Sequence, residues 1–454
     1  MLPENPSQAP EALDIYNQNH VRLMEVLQQA KAQAARQSSM RPMSITLERV
    51  LYDHTTQTMV GFGGKQGIEA MLAQICAQVP GSVEEWHDGH LMGFCVPQAE
   101  HDDQCALVAT LGPGGQIVCT VGPSCSIVEL LGAIERFDRE VHVAARALDC
   151  DYGLLAEGYN SFVDSPLDVP LVPRTRWTLV SAHLSQTGRY ARDAMRCSCA
   201  THILVGYESE REALLTYRLC VALTPLLMFL TDNVRSFRGS GARRCPTMTR
   251  SVVWNEVDPS RCGIVPGTFE SDFSFDRYVT WLEGLMPILE TSENDEVSST
   301  GKRTLRDLMG ERELTDQEAQ EAFGIALPFV RLGDVIEIRQ ADALRPRMAA
   351  SLCAFAKGLL RNDLNADTAI TLLGDLSEER VLDAIYELRV RGWNATVYGR
   401  RVSDLVERLV AIARSGLSDA QELRLLDELV ELWDFNMVPR DAFVHQEIKQ
   451  NRGW

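Results

Sequence analysis

Thr249-Arg-Ser-Val-Val-Trp-Asn-Glu-Val-Asp-Pro-Ser-Arg-Cys-Gly263 sets two guanidiniums, Arg250 and Arg261, on either side of a Trp. Val252, Val253 and Trp254 predict a short strand, and Asp258-Pro259 the turn that ends it. Arg grips planar anions through two parallel hydrogen bonds, so paired Arg beside a turn suits a phosphate or a carboxylate. On spacing alone the commoner reading is an ordinary strand end with solvated Arg side chains. A second stretch, Leu327-Pro-Phe-Val-Arg-Leu-Gly-Asp-Val-Ile-Glu-Ile-Arg-Gln-Ala-Asp342, alternates Val335, Glu337 and Arg339 against Ile336 and Ile338. Such alternation predicts a strand with charges on one face and apolar groups on the other. A face carrying Glu337, Arg339 and Asp342 can line a cavity.

Together the two stretches resemble the glutamate–cysteine ligase family, in particular its plant and proteobacterial branch. That family shows an Arg-Ser-x-x-Trp-x-x-x-Asp-Pro-x-Arg-x-Gly block and, later, a Pro-x-Val-Arg-Leu-x-x-x-Ile-Glu-x-Arg-x-Ala-Asp block. Both stand here nearly unbroken, in order and at a plausible distance. The resemblance implies an α+β fold of the glutamine synthetase/guanido kinase-like kind, an antiparallel sheet curved into a funnel with helices packed outside. It also implies carboxylate–amine ligation, in which ATP phosphorylates the side-chain carboxylate of glutamate and the cysteine amine attacks the acyl phosphate. That chemistry asks for magnesium to neutralise developing charge, hence for several carboxylates, and for Arg to hold anions. Carried over residue by residue, the resemblance assigns catalysis to Arg250, Arg261 and Arg339. It assigns substrate or ATP contacts to Gln116, Arg176, His202, Trp254 and Arg331, and the metal to Glu48, Glu337 and Asp342.

The 454 residues carry a net charge of −19, with 45% apolar and 24% charged residues. That is an ordinary globular composition, and its acidity argues against nucleic acid and against anionic membrane surfaces. The longest apolar run, Leu219 to Leu230, is too short to span a bilayer and holds Pro225, so a buried helix is expected. A polar N-terminus without the layout of a signal peptide points to a cytoplasmic chain. Twelve Cys are scattered without a framework, and Cys197, Cys199 and His202 form their tightest group with His. No second cluster completes a zinc site, so small buried side chains are the expected reading.

In chain order, residues 1–40 predict a helical arm with Leu23, Val26 and Leu27 on one face. Residues 41–345 form the ligase-like core, and residues 346–454 a helical C-terminal part packed on the same domain. Ser44 to Asp53 predicts the first strand, Gly67 to Ile75 a helix, Trp86 to Gly89 a hairpin, and Ser126 to Cys150 a long helix. A loop is predicted from Gly158 to Arg176-Trp177, a strand across Met195 to Tyr207, a helix from Glu210 to Arg235, and a mobile loop over 291–300. Helix resumes at Thr304 to Gly310, and Ser418 with Gln421 predicts a capping box further on.

The family's first strand carries Gly-x-Glu-x-Glu. Here Glu48 remains and Thr46 takes the other place on the same face. The segment resembling Leu-Glu-Pro-Gly-Gly-Gln-x-Glu keeps Pro113, Gly114, Gly115 and Gln116, but has Gly112 and Val118 for its acids. Ser198, His202 and Gly206 stand for a Thr, a Gln and an Asp of a later strand. Three hypotheses follow: an active ligase that recruits Asp53, Glu129 or Glu256 or takes another amine; a degenerate paralogue that binds an anionic metabolite or nucleotide; and a partner that pairs with an active ligase, with homo- or hetero-oligomers in view.

Overall fold

The computed structural model describes residues 9–34, 41–97, 106–291, 297–360 and 362–452. Its centre is β1 (Met43–Asp53), the predicted first strand. Ile45, Leu47 and Leu51 are fully buried on one face, and Thr46 and Glu48 take the other, as the two-residue period requires. Both edges of β1 are hydrogen-bonded. β6 (Gln116–Ser124) and the short β2 (Thr58–Met59) share one edge; β8 (Ala200–Val205) and β7 (Tyr152–Leu155) share the other.

Outward from β6 come β5 (Leu107–Leu111), β4 (His90–Val96) and β3 (Val83–His87). Beyond β8 lie β14 (Ile336–Asp342) and β13 (Val330–Leu332). Every pairing in this ten-stranded sheet is antiparallel. The predicted hairpin at Trp86–Gly89 joins β3 to β4, with Asp88 and Gly89 both at positive φ. Three small pairs lie outside the sheet: β9 (Cys262–Gly263) with β12 (Leu327–Pro328), β10 (Leu289–Thr291) with β11 (Val297–Ser299), and β15 (Thr396–Val397) with β16 (Arg400–Arg401).

The apolar face of the sheet is covered by α2 (Ile68–Gln78), α3 (Ile127–Ala147) and α11 (Pro346–Leu359). Leu130, Ile134, Phe137 and Val141 form the buried stripe of α3, at helical spacing. α14 (Val402–Gly416) and α15 (Ala420–Asp434) back onto α11, while α6 (Glu210–Leu230) packs on β13 and β14 and receives α12 (Asp363–Leu373) and α13 (Glu378–Arg391). The apolar run of α6 is buried from Leu219 to Leu230, so it is a core helix. α1 (Ala9–Ala34) buries Leu23, Val26 and Leu27 and touches α8 (Phe275–Glu283), α9 (Leu305–Met309) and α10 (Asp316–Ala322). The ends of the predicted arm lie outside the described residues. α4 (Thr175–Thr187), α5 (Ala191–Arg196) and α7 (Thr249–Asn255) gather on the polar side, and α16 (Asp441–Arg452) closes the chain. The α+β architecture implied by the resemblance therefore stands.

Four local expectations are corrected. Val252-Val253-Trp254 is helical, not a strand: α7 starts after Met248, whose left-handed backbone (φ 56°) lets its N–H donate to the buried Asp232 carboxylate at 2.8 Å. Met195 to Tyr207 is a strand only over β8, because α5 runs to Arg196. Part of 291–300 is paired in β10–β11, and 292–296 lie outside the described residues. The cap of α15 is Asp419, whose carboxylate accepts from the N–H groups of Gln421 and Glu422, not Ser418.

Candidate functional site

A cavity of about 400 Å³ opens on the polar side of the sheet. Its floor is β1 and β6, which set Glu48 opposite Val118, together with the turn at Gly112-Pro113. Its walls come from α4 (Trp177, Val180), α5 (Met195), Trp254 of α7, the β10–β11 pair and α9 (Leu305, Leu308).

Of the residues singled out from sequence, Glu48, Gln116, Arg176, Trp254 and Arg261 line this cavity. Arg250 and Arg339 line a separate hollow of about 20 Å³, which shares only Trp254 and Leu327 with it. Arg250 and Arg339 thus share one hollow while Arg261 borders the cavity, and each is engaged within the protein. Arg261 is 1% exposed and donates to Asp258 (2.7 Å) and to the carbonyls of Ile325 and Met286. Arg250 donates to the Arg339 and Gln340 carbonyls and lies 5.7 Å from the Trp254 ring centre, one helical turn away. Arg339 reaches Glu337 at 3.1 Å, and Arg331 pairs with the same carboxylate.

That carboxylate anchors a line of charge along the sheet face. Burial alone raises Glu337, but Arg331 and Arg339, with a hydrogen bond from His202, outweigh burial and hold its carboxyl well below the ordinary range. His202 Nδ1 lies 2.8 Å from Glu337, and its Nε2 lies 4.0 Å from Glu48. Sequence reasoning named all three residues without joining them. The signal was there, since residues 48, 202 and 337 lie on adjoining strands of one sheet. The apolar wall was the larger omission; its cue was the apolar i, i+3 pair Leu305 and Leu308 beside a polar loop.

Gln116 is a brace. Its oxygen accepts from Gly114 N–H at 2.8 Å, and its amide donates to the Met195 and Ser198 carbonyls. Trp254 donates to Ser198 Oγ at 2.9 Å. Arg176 is exposed, with its guanidinium 5.9 Å from the Trp177 ring centre.

Magnesium requires several oxygen ligands in octahedral array, and the donors present do not fit. Thr46 is hydrogen-bonded to Thr120 at 2.8 Å, the position opposite Glu48 is Val118, and Gly112 lines the same cavity. Asp342 belongs elsewhere, in a correction to its expected place. It lies beyond a bulge, farther along the same face of β14 and outside the cavity lining, and accepts from Asn233 N–H at 2.8 Å. Burial, and next the neighbouring Asp232, push it up to about 7. No group of three His, Cys, Asp or Glu residues among the described residues is placed to hold a metal. The substitutes considered from sequence do not line the cavity either. Asp53 caps a turn at Thr55, Glu129 accepts from Ser124 Oγ at 2.6 Å, and Glu256 follows α7 on the surface. Cys197 and Cys199 are buried, and burial raises both thiols, in keeping with the plain structural reading.

The model of glutamate–cysteine ligase family 2 matches residues 47–445. Among curated proteins, the chloroplastic glutamate–cysteine ligase of Medicago truncatula is 22% identical over 315 residues, which are 68% of this chain and 61% of that one. Its Arabidopsis thaliana counterpart is 23% identical over 332 residues, 71% and 63% of the two chains. This chain thus spans less than two thirds of the length of those relatives. They are named chloroplastic, which overturns the expectation of a cytoplasmic chain. Among solved structures, the glutamate–cysteine ligase of Francisella tularensis in complex with AMP superposes with a TM-score of 0.51 at 9% identity. The match covers 90% of this chain and 85% of that one, a likeness of fold.

Proposed function

The chain belongs to glutamate–cysteine ligase family 2, and on that premise we propose that it is a degenerate member, whose cleft binds a small metabolite but no longer joins glutamate to cysteine through an acyl phosphate. Family membership supports ligase function in general. What supports the finer reading is one observation: Glu48 stands alone on the cleft floor, with Thr46, Val118 and Gly112 where the family motifs carry acids. Loss of a group that merely orients a metal ligand costs about 10–100-fold in affinity or activity, and loss of ligands themselves should cost at least as much. The Arg residues do not compensate, because Arg261, Arg331 and Arg339 already hold Asp258 and Glu337. An anionic ligand therefore finds the exposed Arg176 at the cavity edge, since Arg312, which also lines the cavity, is paired with Glu318.

The deciding assay is ADP release from purified protein given ATP, magnesium and glutamate, with and without cysteine. We expect rates at the heat-killed blank in both arms. Cysteine-dependent release would overturn the reading in favour of an active ligase, the alternative that the retained Glu48 and the neighbouring Trp254 support.

A further inference from the structure

We propose that the cleft recognises an uncharged, largely apolar ring compound, about the size of two fused six-membered rings. The proposal deepens the proposed function, since it rests on the cleft being a ligand site that no longer gathers ATP, magnesium and glutamate.

The charged groups of the lining are mostly spent on one another. Arg303 donates to Glu290 at 2.6 Å and to Glu311 at 3.0 Å, so these two lining carboxylates share one guanidinium. Arg312 pairs with Glu318, and Arg261 with Asp258. Arg176 and Glu321 are exposed and stay in water. Of the lining charges that leaves Glu48, which belongs to the floor rather than the walls; its side chain is 25% exposed, so water can serve it. The neutral polar groups are spent as well. Gln116 uses its oxygen and its amide on backbone groups, and Ser198 Oγ accepts from the Trp254 indole. A ligand with several charges would leave water without partners for them, which costs far more than apolar contact returns.

What the cleft offers instead is apolar surface carried by helices. Trp177, Val180 and Leu184 recur at i, i+3 and i+7 along α4 and so share one face. Leu305 and Leu308 stand one turn apart on α9, and all five line the cavity together with Ile325. Volume sets the size of the occupant. An apolar cavity of about 150 Å³ takes up benzene, so the cleft, at about 400 Å³, has room for two fused rings. The indoles of Trp177 and Trp254 favour a ring over an open chain, because aromatic pairs gain from offset or edge-to-face contact beyond the area they bury.

The test is titration calorimetry on the full chain at pH 7.5. The probe is 2-naphthol, compared with phenol, 2-naphthoate and 2-naphthylmethylammonium, which remove one ring or carry one charge of either sign. 2-Naphthol should bind, phenol about tenfold more weakly for want of four ring carbons, and each ion about tenfold more weakly or worse. Val180→Phe, which fills the wall from a half-buried position, should weaken 2-naphthol about tenfold and melt like the parent. Arg303→Met, which frees Glu290 and Glu311 from their shared partner, should raise the affinity for 2-naphthylmethylammonium and leave that for 2-naphthol unchanged. The proposal is overturned by no binding of 2-naphthol, by either ion binding as tightly, by an ammonium affinity unmoved in Arg303→Met, or by a folded Val180→Phe that binds like the parent. The comparison of probes on the parent chain decides the matter even where a variant does not fold. Cysteine-dependent ADP release alongside intact 2-naphthol binding would instead overturn only the loss of ligation proposed above.

Discussion

Val118→Glu puts a carboxylate back where the family motif has one, directly opposite Glu48 in the antiparallel pair of β1 and β6. Directly opposed Cβ atoms lie about 4.5–5.5 Å apart. Two charges at about 5 Å and an effective dielectric of about 20 repel by at most ~3 kcal/mol. Solvent at the cavity floor and freedom of both side chains reduce this to ~1 kcal/mol. For a chain of this length the unfolding entropy is on the order of 1 kcal/mol per kelvin, so the metal-free variant should melt about 1 °C below the parent. The same pair creates a two-carboxylate cation site. With a Kd on the order of 1 mM, 10 mM magnesium would add ~1.4 kcal/mol, or about 1.5 °C. The expected pattern is a crossing: the variant melts earlier than the parent in EDTA and regains that loss in magnesium, whereas the parent hardly moves. Thermal melts in EDTA and in 10 mM MgCl2 decide it. A parent that itself rises by 1.5 °C in magnesium, or a variant that ignores the metal, would refute the assignment of position 118 to a lost ligand set.

Asp342→Asn should flatten the dependence of stability on pH. The folded carboxyl is raised to about 7 from 3.8 by burial and Asp232. The folded state therefore holds the proton more tightly, and the contribution to stability falls as pH rises through that window. From pH 5 to pH 8 the parent should lose about 2–3 kcal/mol more than the variant by urea denaturation, and equal slopes would contradict it. Arg261→Ala should cost about 3 kcal/mol, because it strands the buried Asp258 carboxylate and two carbonyls. A urea midpoint within experimental error of the parent's would show that this guanidinium is not the brace it resembles.

How much of this was legible in the sequence depended on whether a signal was local. β1 and α3 announce themselves through periodicity, α6 through an unbroken apolar run buried on all sides, and β14 through alternation although both of its faces are buried. Val252-Val253-Trp254 misled because β-branched and aromatic residues favour strands only when packing agrees. The helix there is begun by a contact from Asp232, sixteen residues before Met248, which no local pattern reveals. Arg261, Arg331 and Arg339 hold carboxylates of the chain itself, whereas Arg250 donates to backbone carbonyls. The partners of Arg261 and Arg339 were visible three and two residues away at Asp258 and Glu337, whereas Arg331 meets Glu337 only across the β13–β14 pair. Asp342 was placed with Glu337 and Arg339 although its spacing from them is odd. The one-residue bulge between Ile338 and Ala341 cancels that odd spacing and keeps Asp342 on the face of Glu337, but two further pairings along β8, where it holds Asn233 and stays out of the cavity lining. The apolar wall could not have been assembled from sequence, because it joins segments from α4 through α10 that share no motif.

Strand β1 is paired along both edges by four other strands, and this has a consequence in time. An amide exchanges with solvent deuterium only when its hydrogen bond opens, and segments differ in the size of the opening they need. The amides around Glu48 can be released only by parting the sheet at its middle, so they should exchange at the rate of global unfolding. The walls are built from shorter pieces, such as five-residue α9 and six-residue α5, and should exchange through smaller and faster fluctuations. The floor of the cleft is then as long-lived as the folded chain itself, and whatever enters or leaves does so on the schedule of its sides.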